Sequence, residues 1–214
     1  MIKSLLIANR GEIAVRIIKT CRNMGIKTVQ VFSDADKNSL AVALADESVN
    51  IGPAPAAQSY LRKDVIIEKA LEAKVDAIHP GYGFLSENAA FSESVSKKGL
   101  IFIGPTSDVI ASLGDKIQAR LIAKASGIEA VPGHEIGDIA DLKVDDLRSR
   151  LGFPLMIKAA AGGGGRGIRI VHSEPDLLSS LETASVEAKA SFGDGTIYLE
   201  RYIENARHIE VQFI

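Results

Sequence analysis

The feature that most constrains this chain is a regular alternation of two hydrophobic periods over its first hundred residues. Short apolar runs of strand type are each followed by a stretch with helical spacing. Residues 3–8 form the first run; Ile13, Ile17, Cys21 and Met24 then recur at helical spacing, with Gly25 as a stop. Residues 28–32 read as a second strand, 64–73 as a helix and 75–78 as a strand that His79-Pro80-Gly81-Tyr82-Gly83 breaks. A helix over 87–97 and a strand over 100–103 follow, the strand ending at Gly104-Pro105. Strands that alternate with helices pair in parallel, because each connection crosses back over the sheet, so this half reads as an open α/β layer structure.

The pattern changes after residue 105. Two helical stretches, 107–113 and 115–125, have no strand between them and read as a helical connector. From about Val131 a second kind of organisation begins, with strands at 154–159 and 168–171 on either side of a glycine-rich loop. A helix over 174–190 and strands over 196–202 and 208–214 complete it. The last strand alternates His208, Glu210 and Gln212 against Ile209, Val211 and Phe213, so one face is buried and one polar. Strands on both sides of a short loop favour an antiparallel hairpin, so this half reads as α+β. The expected organisation is an open parallel-sheet domain over 1–105, a helical linker over 106–130, an α+β subdomain over 131–204 and the start of a further subdomain over 205–214. A chain that stops inside a strand is expected to be a piece of a longer protein.

Composition excludes several classes. The 214 residues are 46% apolar and 24% charged, ordinary for a globular chain and unlike a disordered one. A net charge of -2 lacks the basic surplus of a nucleic-acid binder. No uncharged apolar run approaches the ~20 residues of a membrane span. The opening MIKSLLIANRGEIA is too short in its apolar part for a secretory signal, which needs ~7–15 such residues. A single cysteine, Cys21, excludes a disulfide framework and a thiolate metal site.

The strongest candidate for chemistry runs from Lys158 through Gly162-Gly163-Gly164-Gly165-Arg166-Gly167. With almost no Cβ atoms, such a loop can lay consecutive N–H groups against phosphate oxygens, and Lys158 at the preceding strand end adds a point charge. It lacks the Gly-Lys-Ser/Thr of a P-loop and the GxGxxG spacing of a dinucleotide fold. The plain alternative is a flexible hairpin tip with a surface lysine. Asn9-Arg10-Gly11-Glu12 sits at the first strand-to-helix turn, the ligand end of an open α/β sheet, although a capped turn explains it as well. The stretch from His79 to Asn88 fixes an unusual path next to Tyr82 and Glu87, or is a tight turn into a helix capped by Ser86 or a neighbour. Gly114-Asp115-Lys116 starts a helix, aiming Lys116 at an anion or leaving it solvated. Glu200-Arg201-Tyr202-Ile203 ends a strand, and His208 lies on a polar strand face.

Together these segments resemble the biotin carboxylase domain of biotin-dependent carboxylases. The matching stretches are IANRGEIAVRII, LADE, IGPAPAAQSYL, AIHPGYGFLSEN, FIGP, GDK, MIKAAAGGGGRG and YLERYIENARHIEVQ, in the family's order from Ile2 to Ile214. The resemblance implies an ATP-grasp enzyme with a pre-ATP-grasp α/β domain, a helical linker and a lid, at about twice this length. It implies that Lys116 and Lys158 meet ATP phosphates, that Gly164 and Gly165 belong to the lid, and that Glu200, Arg201, Tyr202 and Ile203 form the adenine-binding strand end. It places His208 near the ribose, and Tyr82, Gly83 and Glu87 on the loop facing biotin and bicarbonate. Arg166 and Arg201 stand where many members carry Lys. The implied cofactors and substrates are ATP, Mg²⁺ or Mn²⁺, bicarbonate and biotin on a carrier. The implied partners are a biotin carboxyl carrier domain or protein, a carboxyltransferase and a second carboxylase copy in a homodimer, without nucleic acid or membrane. The implied setting is the cytoplasm, or the mitochondrial matrix after removal of a transit peptide. The implied chemistry is two-step: ATP phosphorylates bicarbonate, and the carboxyphosphate carboxylates biotin. The family's metal-binding glutamates, bicarbonate-site arginine and catalytic base fall beyond residue 214, so this chain alone is expected to be inactive. The alternatives are another ATP-grasp ligase, such as a carbamoyl-phosphate synthetase, or a non-catalytic fragment.

Overall fold

The computed structural model describes residues 1–114, 116–136, 139, 142–160, 167–207 and 209, with Lys116, Ile117, Glu135 and Phe192 described by their backbone only. The residues fall into two compact units, Met1–Gly114 and 116–209. The lid positions Gly164 and Gly165, with Arg166 and His208, lie outside the described residues, as does most of the strand expected over 208–214.

In the first unit, β1 (Ser4–Ile7), β2 (Lys27–Phe32), β3 (Glu47–Asn50), β4 (Ala77–His79) and β5 (Ile101–Phe102) form one sheet in the order β3-β2-β1-β4-β5. All four pairings are parallel. Helices α1 (Gly11–Asn23), α2 (Leu40–Leu44), α3 (Lys63–Glu72), α4 (Ala89–Lys97) and α5 (Ser107–Gly114) connect and follow the strands. Alternation along β1 sends Leu6 to a core with Val29, Tyr60, Ile66 and Phe91, and Leu5 and Ile7 to a second core with Ala14, Ile18 and Cys21. Both faces of the strand are therefore apolar, as a central parallel strand requires. The order reverses at β1, whose C-terminal end lies beside that of β4.

The open parallel sheet matches the expectation, and most element boundaries agree within two residues. The cap of α4, expected at Ser86 or a neighbour, is the Asn88 side chain, which accepts from Phe91 N at 2.8 Å. Helix α2 and strand β3 have no counterpart in the sequence reading. Helix α2 is five residues long, too short to show a period. Strand β3 is a polar edge strand whose Glu47 pairs with Lys27 at 2.6 Å.

The second unit comprises α6 (Lys116–Ala125), β6 (Gly133–Ile136), α7 (Val144–Leu151), β7 (Leu155–Ala159), β8 (Ile168–Val171), α8 (Leu177–Phe192) and β9 (Ile197–Arg201). Its sheet runs β6-β9-β7-β8 and is antiparallel throughout. β7 and β8 form the expected hairpin on either side of the glycine-rich segment. Leu155, Ile157 and Ala159 of β7 pack with Ile197 and Leu199 of β9 and with Leu147, Leu177 and Leu181 of the helices. The alternate residues, Met156 and Lys158, stand on the opposite face. β6 and α7 likewise have no counterpart in the sequence reading: β6 begins at a glycine, and α7 carries Asp145 and Asp146 in its first turn. Among the described residues no helix is long and apolar enough to cross a membrane.

Candidate functional site

The open face of the second sheet gathers most of the residues singled out there. Met156 pairs with Glu200 and Lys158 with Tyr198, so Lys158 and Glu200 are diagonal neighbours on one face. Lys158 Nζ donates to Glu200 Oε2 at 2.5 Å. Arg120, from α6, approaches the other carboxylate oxygen, Nη1 to Oε1, at 3.4 Å. The three side chains are only 24%, 16% and 25% exposed for Lys158, Glu200 and Arg120. A partly buried carboxylate thus sits between two cations, which offset the cost of its desolvation. A cavity of about 480 Å³ opens beside the pair, lined by Val131, Met156, Lys158 and the run from Glu200 to Ile203.

Lys158, Glu200, Arg201, Tyr202 and Ile203 therefore line one cavity. Their side chains have different duties. The Arg201 guanidinium turns away to the end of α7, donating from Nε to Leu151 O at 2.8 Å and from Nη2 to Arg150 O at 3.2 Å, where it caps the helix. Tyr202 N donates to Pro154 O at 3.0 Å, which ties the segment past β9 to the start of β7. Lys116 is the first residue of α6.

In the first unit, Tyr82, Gly83 and Glu87 follow the C-terminal end of β4. Asn9 fixes this loop. Its Nδ2 donates to Pro80 O at 2.7 Å and to Tyr82 O at 2.8 Å, and its Oδ1 accepts from Arg10 N. Gly81 has φ +67, and a Cβ there would stand 2.8 Å from Asn9 Nδ2, so glycine is required twice over. Tyr82 is 45% exposed, and its phenol donates to the Glu12 carboxylate, which holds that carboxyl below its ordinary range. Next to it, the Arg10 guanidinium lies 5.6 Å over the ring of Tyr60 and 5.8 Å over that of Phe84, and pairs with Asp36 at 3.4 Å. Tyr60 donates to Asp36 at 2.7 Å; burial first, then Asp36, pushes its phenol up to about 12.

The sequence reading missed Arg120 and the latch role of Asn9. Arg120 lies one helical turn after Lys116, a spacing that could have drawn notice. No signal could have shown Asn9 bonding 71 residues away. Among the described residues, no three His, Cys, Asp or Glu side chains converge as they would around a metal ion.

Residues 1–110 match the family model described as biotin carboxylase, N-terminal domain. The chain belongs to that family. Residues 115–214 match a second model, the ATP-binding domain of the carbamoyl-phosphate synthase L chain. The biotin carboxylase of Allochromatium vinosum is 53% identical over 216 residues, covering 100% of this chain and 48% of that protein. The chain thus spans about half the length of the curated relatives it matches. Among solved structures, a biotin carboxylase–beta-gamma-ATP complex from Campylobacter jejuni superposes with a TM-score of 0.87 at 44% identity, over 96% of this chain and 46% of that one. The biotin carboxylase domain dimer of Hydrogenobacter thermophilus 2-oxoglutarate carboxylase, in complex with MgADP, ADP and bicarbonate, gives 0.85 at 42% identity, over 96% and 45%.

Proposed function

We propose that this chain is the nucleotide-holding half of a biotin carboxylase, an ATP-dependent ligase. The whole enzyme would phosphorylate bicarbonate with ATP and pass the carboxyl group of the resulting carboxyphosphate to a ureido nitrogen of carrier-bound biotin. The observation that carries this reading is the Lys158–Glu200 pair at the wall of the 480 Å³ cavity, in a chain that matches the two family domains in order. A nucleotide there would meet a carboxylate able to accept from the adenine amino group and backbone groups of Tyr202 and Ile203 along the base edge. Lys158 and Lys116, with N–H groups of the loop containing Gly164 and Gly165, would hold the phosphates, and His208 would face the ribose. Phosphoryl transfer draws its stabilisation from such fixed cations and donors. Tyr82, Gly83 and Glu87 would face biotin and bicarbonate, their loop held by Asn9. A carrier domain or protein, a carboxyltransferase and a second carboxylase copy would be the partners, in the cytoplasm or the mitochondrial matrix.

Titration of the chain with ATP, followed by ¹H–¹⁵N NMR, tests the reading. Shifts should concentrate on Lys158 and on Glu200 to Ile203. Lys158→Gln should keep the folded spectrum and lower affinity by about 10–150-fold, the equivalent of one lost charged hydrogen bond of ~1.5–3 kcal/mol. Unchanged affinity would remove Lys158 from the site. Residues 1–214 alone should release no phosphate in the presence of bicarbonate and biotin; bicarbonate-dependent turnover would show that the catalytic groups lie within them.

A further inference from the structure

We infer that Arg120 is the positioning residue of this nucleotide site, holding the Glu200 carboxylate in place when Lys158 leaves it for a phosphate. The inference rests on the nucleotide reading above and adds to it a determinant of base selectivity.

The argument starts from an asymmetry between the two cations on Glu200. Among the described residues, the Lys158 ammonium pairs with Glu200 alone, and it is a point charge on a flexible stem. The Arg120 guanidinium is a rigid fork tied down in three directions. Nη1 faces Glu200 Oε1 at 3.4 Å, Nη2 donates to Val131 O, and Cζ lies 5.0 Å from the centre of the Tyr198 ring. Tyr198 is itself 6% exposed and packs so closely on β6 that a Cβ on Gly133 would fall 2.2 Å from its hydroxyl. Arg120 is therefore held by a backbone carbonyl and an aromatic ring as well as by Glu200, and Lys158 by an ion pair that an anion can compete for.

A phosphate that captures Lys158 would otherwise strand Glu200. A carboxylate 16% exposed with no counter-charge has nothing to orient it. Its oxygens accept from the amino group of adenine and repel the O6 carbonyl of guanine, which is itself an acceptor. Arg120 on one oxygen keeps the other turned toward the base edge. Arg120 thus lets one lysine serve the phosphates while the carboxylate continues to select the amino purine.

The test is a double-mutant cycle on the 214-residue chain, read by NMR titration with ADP and, separately, GDP. Arg120→Met should lower ADP affinity by about tenfold and narrow the preference for ADP over GDP. Glu200→Gln should do the same, and Arg120→Met should add nothing in the Glu200→Gln background. Arg120→Lys, which keeps the charge and loses the fork, should fall between wild type and Arg120→Met; it also serves if the methionine variant fails to fold. An equal loss from Arg120→Met in both backgrounds, or an unchanged ADP-to-GDP ratio, would overturn the inference and leave the nucleotide site standing. Absence of ADP shifts in the wild-type chain would instead remove the nucleotide reading, and this inference with it.

Discussion

Asn9→Ala should loosen the whole first unit, because this side chain is the latch between the ends of β1 and β4. Asn9 is 4% exposed, and both amide protons are in use, at 2.7 Å to Pro80 O and 2.8 Å to Tyr82 O. The bond to Pro80 is buried, and losing it strands an acceptor, at a cost of ~1–3 kcal/mol. The bond to Tyr82 is partly reachable by water and contributes ~0.5–1.5 kcal/mol. Together the loss is about 2–4 kcal/mol for this unit. Cys21 supplies an assay specific to it. It is the one cysteine of the chain, 6% exposed on α1, and burial pushes its thiol up, with the Asp46 charge adding to the effect. Thiol labelling under native conditions requires the unit to open, and where reclosing is fast the rate follows the open population. The variant should label about 30–1000 times faster. Asn9→Asp, which keeps the shape and has no donor, should be at least as fast. A rate within about threefold of wild type would show that the latch contributes nothing to stability, and would refute the bond-by-bond reasoning.

Other consequences are open to direct measurement. Burial holds the His79 imidazole below its ordinary 6.5, and its Nδ1 accepts from Gly81 N at 3.0 Å, so the folded unit prefers the neutral ring. The unfolded chain takes the proton first as pH falls, so this contribution is intact above about 6.5 and is lost as pH drops toward the folded value. Urea midpoints should therefore fall between pH 7.5 and 5.5, and His79→Gln should flatten that slope; an unchanged slope in the variant would count against it. Gly133→Ala places a Cβ 2.2 Å from the Tyr198 hydroxyl. Tyr198 must shift, and the second unit should lose about 1–3 kcal/mol in urea unfolding while Cys21 labelling stays at the wild-type rate. Faster Cys21 labelling in that variant would show the two units to be energetically coupled.

The sequence alone determined the layer architecture of the first unit, since a period of two followed by a period of 3.6, repeated, leaves a parallel sheet as the way to bury both faces of β1. It also marked Lys158 at the end of a strand, and the run from Glu200 to Ile203 at the end of another, from local composition. The meeting of these groups was decided by tertiary structure. The 2.5 Å bond between Lys158 and Glu200 follows from the β7–β9 register, which two strands 42 residues apart settle only by burying Leu155, Ile157 and Leu199 on the same side. Arg120 joined them because α6 carries it over Tyr198, and nothing in its own helix required that. Arg201 lies in the same run as Glu200, yet its side chain caps α7, because successive residues of a strand point to opposite faces. Helix α2 and strand β3 left no readable period, being short or polar at a sheet edge. Periodicity records how much of an element is buried, and so it shows the core; which polar groups become partners depends on register and crossing geometry, which only the packed chain sets.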